Sequence, residues 1–205
     1  VLYPAYAKIQ TEEDRLRKAY LESLENVLYV VFPVSGVIAV LAPEIVQLTV
    51  GSQWVSAIPL MVVLAAGGVV RIVDSTAGGI YSAVGKPYYG FYKNLLRLGV
   101  LCGLLLPLAG KNGILGVCQA VLFSNCAACI FAFWSLCVLI GVRAFEYVRT
   151  LLIPAGASAA LLLPLIAFLN LFGDDLGWIG FGLFIGILFN AAYFIRYKGT
   201  VWRTI

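Results

Sequence analysis

Two charged residues stand inside a long apolar stretch, in the phrase Val70-Arg71-Ile72-Val73-Asp74-Ser75. Their spacing of three puts both on one face of a helix. A charge near the centre of a bilayer costs ~2.5–3.5 kcal/mol on insertion scales, so such residues turn to a cavity or to a partner. Two arrangements satisfy that demand. Arg71 and Asp74 neutralise each other and lock two helices together, or Arg71 opens onto an aqueous cavity and binds an anionic group. A phosphate suits the second arrangement, because the planar guanidinium grips it through paired hydrogen bonds. Further polar residues within apolar stretches are Asn94, Arg97, Gln119, Ser124 and Asn125. Arg97 either lines the same cavity or reaches its head group to the membrane surface. Gln119 and Asn125 either line it or hydrogen-bond between helices. The candidate substrate-binding set is therefore Arg71, Asp74, Asn94, Arg97, Gln119 and Asn125.

Other chemistries find little support. The 205 residues include no His, so there is no His general base and no His metal site. The five Cys, at 102, 118, 126, 129 and 137, all fall in apolar stretches. Cys126 and Cys129 form a lone pair without the second pair that a zinc site wants, and read as small packing residues. No catalytic residue, metal or cofactor is expected.

The elements that must position these side chains follow from composition. Hydrophobic residues make up 62% of the chain and charged residues 12%, about half the charged share of an ordinary soluble domain. The apolar residues fall in blocks, and a helix crosses a bilayer in ~20 residues. Six blocks are legible: Val27–Val50, Ala57–Val84, Leu95–Ala109, Gly113–Ile140, Leu151–Phe172 and Gly177–Ile195. They do not alternate apolar with polar as barrel strands do. The fold class is all-α: a polytopic bundle of six transmembrane helices. Pro33 and Pro43 are expected to interrupt the first helix.

Positive residues collect in cytoplasmic loops. Lys8, Arg15, Arg17 and Lys18 precede the first block; Lys86 and Lys93 follow the second; Arg143 and Arg149 follow the fourth; Arg196, Lys198 and Arg203 follow the sixth. The other connections hold Lys111 with Glu44, Asp174 and Asp175. That alternation sets both ends of the chain in the cytoplasm. The net charge of +4 is a product of this loop bias and does not point to nucleic acid. Thr11 through Leu24 reads as a short helix with acids in its first turn, either an amphipathic helix on the inner membrane surface or a solvated connector. The chain opens inside an apolar phrase, Val1-Leu2-Tyr3-Pro4, which is expected to be internal to a longer protein.

A resemblance adds to this. Leu2-Tyr3-Pro4-Ala5-Tyr6-Ala7-Lys8-Ile9-Gln10, Phe32-Pro33, Ala42-Pro43-Glu44-Ile45-Val46 and Gly51-Ser52-Gln53-Trp54 follow one another in order. Ala83-Val84-Gly85-Lys86-Pro87, Asn94-Leu95-Leu96-Arg97 and Gly113-Ile114-Leu115-Gly116-Val117 come next. Together, over about residues 1–141, they resemble the later part of polysaccharide flippases of the Wzx/RfbX type, in the multidrug/oligosaccharidyl-lipid/polysaccharide exporter superfamily. From Leu151 onward only the hydropathy is similar.

The resemblance implies a two-lobed, MATE-like exporter fold of which this chain is a C-terminal fragment. Residues 1–26 would be the end of a preceding helix plus a cytoplasmic linker, 27–141 four helices of the C-terminal lobe, and 142–205 a terminal helix pair with a cytoplasmic tail. It also implies transport of undecaprenyl-diphosphate-linked sugar units across the cytoplasmic membrane of a bacterium or archaeon. The implied partners are membrane lipid, the lipid-linked oligosaccharide, the N-terminal lobe, and polymerases and glycosyltransferases of the pathway. The alternatives are a MATE-like small-molecule or ion-coupled exporter, with Asp74 and Glu44 as the acids placed to couple to an ion, and a membrane-embedded enzyme of prenyl-linked sugar metabolism. Asp174-Asp175 would be the acids of that enzyme.

Overall fold

A computed structural model describes Tyr6 and residues 12–172, the side chains from 164 on being described only at Ile166. The expected sixth span, Gly177–Ile195, and the Asp174-Asp175 pair lie outside the described residues. What is described is helical: α1 (Glu13–Val40), α2 (Ala42–Thr49), a 3-10 turn (Ser52–Ala57), α3 (Ile58–Ala83), α4 (Tyr88–Ile140) and α5 (Ala144–Phe172). Four helical stretches among the described residues are long and apolar enough to cross a membrane, within α1, the 3-10 turn with α3, α4, and α5.

At 53 residues, α4 would be about 80 Å long if straight, far more than a bilayer needs. It is not straight. Gly113 has φ 58° and ψ −135°, a conformation that only glycine adopts without strain. The chain reverses there, and Gly116 comes to rest against the backbone carbonyl of Leu108. Across the turn, Asn112 Nδ2 donates to Gln119 Oε1 at 2.9 Å. The two arms, 88–112 and 114–140, are the expected third and fourth spans, the third longer at both ends than Leu95–Ala109.

The first span differs more. Residues 13–24, read as a surface helix or connector, are the opening turns of α1. Leu16, Tyr20, Leu24 and Leu28 recur every four residues, and that face is fully buried in the bundle instead of resting on lipid head groups. It packs against Val73, Ala77 and Ile80 of α3 and Leu136 and Ile140 of the second arm. Pro33 stays within an unbroken α1; it is Pro43 that marks a break, at the start of α2 after Leu41. A proline is tolerated in the first turn of a helix, where its missing N–H has no partner to lose.

In lipid the helices gain little from hydrophobicity alone, so close packing of small residues and interhelical hydrogen bonds join them. The second arm buries Ser124, Ala128, Ala132 and Ser135. Tyr81 of α3 and Ser135 of this arm share a hydrogen bond of 2.6 Å, and Tyr20 of α1 meets Thr76 of α3 at 3.3 Å. At one end of the bundle Arg17 donates to the Gly141 carbonyl and pairs with Glu146 at 3.5 Å. The start of α1 is thereby tied to the connection between α4 and α5. The opposite end carries α2 and the Gly113 turn.

Candidate functional site: a charged belt across the bundle

The register of three helices decides which candidate residues meet. Lys93 of the first arm pairs with Asp74 of α3, and Tyr89 stacks on Tyr81 at 6.1 Å, so the first arm runs antiparallel to α3. The second arm runs parallel to α3: Gly67 lies beside Leu122 and Asn125, and Tyr81 beside Ser135. Stepping one turn along each helix from the Lys93–Asp74 contact brings Arg71 and Arg97 to one depth. Asn125 lies at about the same level. Arg71 stands thirteen residues after Ile58 and twelve before Ala83, at the middle of α3.

The Arg71–Asp74 pair, one of the two arrangements open to these residues, does not form. Asp74 instead takes Lys93, with Nζ 2.9 Å from Oδ1. The same ammonium donates to the Asp74 backbone carbonyl at 3.0 Å and lies 5.7 Å from the centre of the Tyr81 ring, within cation–π range. Both side chains are about 5% exposed, 6% for Lys93 and 5% for Asp74. A second pairing therefore takes the acid, because a lysine reaching from a neighbouring helix meets both the Asp74 carboxylate and the Asp74 backbone carbonyl. Its place between the second and third apolar blocks makes Lys93 a loop cation by sequence. The loop is only 84–87, since α4 begins at Tyr88, and Lys93 lies within the helix. Folding the chain back over that short connection brings Asp74 opposite residues 93–97, which is the signal in the sequence that points to Lys93.

Arg71 is exposed and Arg97 half-buried, and neither has an ion-pair partner among the described residues. Asn125 is buried, at 5% exposure. Asn94 is exposed, about 100° round the helix from Lys93. Gln119 does not join the belt: it clips the Gly113 turn through Asn112, about 9 Å along the arm from Asn125. Glu44 lies in the first turn of α2, at the end of the bundle that carries the Gly113 turn. Among the described residues no cluster of three or more His, Cys, Asp or Glu is placed to hold a metal ion. The belt thus holds three cations, Arg71, Lys93 and Arg97, against the one acid Asp74.

A family model described as "Polysaccharide biosynthesis protein" matches residues 1–59. An uncharacterized membrane protein in the cps region of Klebsiella pneumoniae is 26% identical over 172 residues, 81% of this chain and 34% of that protein. The teichuronic acid biosynthesis protein TuaB of Bacillus subtilis (strain 168) is 25% identical over 162 residues, 78% of this chain and 33% of that one. The lipopolysaccharide biosynthesis protein WzxC of Escherichia coli (strain K12) is 25% identical over 155 residues, 75% of this chain and 32% of that one. Among solved structures, the lipid II flippase MurJ in an inward closed conformation superposes with a TM-score of 0.78 at 15% identity, over 98% of this chain and 43% of that one. The fold is shared with that protein. The chain spans about a third of the length of the curated relatives it matches.

Proposed function

We propose that this chain, whose resemblance to polysaccharide flippases of the Wzx/RfbX type its relatives bear out, forms part of a transporter that moves diphosphate-linked sugar lipids across the cytoplasmic membrane. The observation that carries the reading is the charge balance of the belt. Arg71 and Arg97 lie at mid-depth without partners among the described residues, and hydrocarbon would penalise both. A polar cavity that an anion enters removes that penalty.

The substrate class follows from the chemistry. A diphosphate bridging a prenyl chain and a sugar carries roughly one negative charge per phosphate, as phosphodiesters do. Two unpaired guanidinium groups match it in number, and each can bind an oxygen pair. The head group of such a lipid is too polar to cross hydrocarbon unaided, while its prenyl tail can stay in the bilayer. A two-lobed cavity that rocks between openings would carry the one and leave the other in lipid. This chain would supply helices of one lobe, and the cavity would be completed by the rest of the transporter. By the positive-inside rule, the end that holds Arg17, Lys86 and Arg143 faces the cytoplasm. The membrane would be that of a bacterium or archaeon, with polymerases and glycosyltransferases acting upstream and downstream. The reading is of a transporter and assigns no catalytic residue.

The test uses the full-length protein in a cell that depends on it for surface polymer. Arg71→Ala should strand lipid-linked oligosaccharide on the cytoplasmic leaflet, and Arg71→Lys should keep part of the activity. Membrane abundance is measured alongside by immunoblot. Normal polymer from a stably present Arg71→Ala protein would overturn the cavity role.

A further inference from the structure

The Lys93–Asp74 pair sits beside the belt without being needed to hold an anion, and its geometry assigns it a task. Asp74 is three residues from Arg71 on the same helix, the spacing at which an acid and an arginine ordinarily pair. Such a pair would cancel the charge that the proposed cavity presents. Lys93 prevents it. Its ammonium is held at two points on the same residue, the carboxylate oxygen at 2.9 Å and the backbone carbonyl at 3.0 Å, and it also lies over the Tyr81 ring, 5.7 Å from its centre. The Asp74 charge is neutralised on the side facing the first arm, and Arg71 is left exposed.

We infer that Lys93 is a positioning residue: it sequesters Asp74 so that Arg71 stays free for a diphosphate. This rests on the proposed function and adds to it. Lys93 itself would not touch the ligand, because its ammonium is buried and already engaged.

The experiment measures binding of inorganic diphosphate to the full-length protein, purified in detergent, by titration calorimetry. The wild type should bind saturably and Arg71→Ala should not. Diphosphate binding that ignores Arg71, or no binding by the wild type, would sink the functional reading itself. Given Arg71-dependent binding, Lys93→Gln is the decisive variant. The amide can still donate to Asp74 but leaves its charge free to capture Arg71, and affinity should fall about tenfold or more, because opposite charges attract strongly away from bulk water. In that background Arg71→Ala should add little. Lys93→Arg should restore binding. Lys93→Gln combined with Asp74→Asn should bind as the wild type does, because the competitor is gone. This double variant carries no unpaired buried charge, so it decides the matter if the single one fails to accumulate. Undiminished affinity in Lys93→Gln would overturn sequestration. Weak binding by a well-folded double variant would overturn it too, by making Lys93 a ligand contact.

Discussion

Single side chains show where polarity in this bundle is structural. The Ser135 hydroxyl lies 2.8 Å from the Ala132 carbonyl, to which it donates, and 2.6 Å from the Tyr81 hydroxyl, so the tyrosine is left as the donor between them. Ser135→Ala strands a buried phenol, which costs ~1–3 kcal/mol, whereas Tyr81→Phe leaves the serine bonded and costs only ~0.5–1.5 kcal/mol. Denaturant titrations of the purified protein should rank the two variants in that order. At this scale the sequence was only partly legible. Arg71 stands out because a guanidinium in the middle of an apolar block demands either a partner or a polar cavity. Lys93 did not stand out, because a lysine near a span's end is ordinarily a surface anchor and its burial depends on where a neighbouring helix puts an acid. Gln119 was legible as a hydrogen bonder between helical segments, but its partner Asn112 lies across a turn that polarity alone does not reveal.

Among the elements, the hairpin of α4 is the most demanding. Gly113 needs a positive φ, and Gly116 lies against the Leu108 carbonyl and the Ala109 backbone. A methyl group at position 116 meets main chain, which cannot swing aside as a side-chain tip can. Gly116→Ala should therefore splay the arms and lower the amount of folded protein in the membrane, detectable as early elution or loss of the monodisperse peak in size-exclusion chromatography. Gly103→Ala, on the same helix with open space around its Cα, is the matched control and should be silent. Hydropathy located both arms, since each is an apolar run of spanning length. It misplaced the start of α1, because the amphipathic pattern of residues 13–24 does not tell whether its leucine–tyrosine stripe meets the membrane surface or, as here, other helices.

For the whole molecule, each reversal of the chain among the described residues switches ends of the bundle, so Arg17 and Gly141 meet at one end and the Gly113 turn lies at the other. Which parts face a second lobe is not written in hydropathy, since a cavity wall and a lipid-facing wall can both be apolar. The hairpin also bears on how the chain enters the membrane as it is made. The first arm carries Lys93 and Arg97, each unfavourable in hydrocarbon, where a cation at the centre costs ~2.5–3.5 kcal/mol. The second arm, 114–140, contains no Asp, Glu, Lys or Arg. Alone, the first arm is a reluctant passenger. With the turn at Gly113 already made, the second arm can carry it in, and Asp74 of α3 waits to receive Lys93. A nascent chain stalled just after residue 112 should leave its last span largely uninserted in a glycosylation-reporter assay, and one stalled after residue 140 should insert both. Substituting Lys93 and Arg97 by leucine should erase the difference, making synthesis order, and not only final contact, a property written into these two cations.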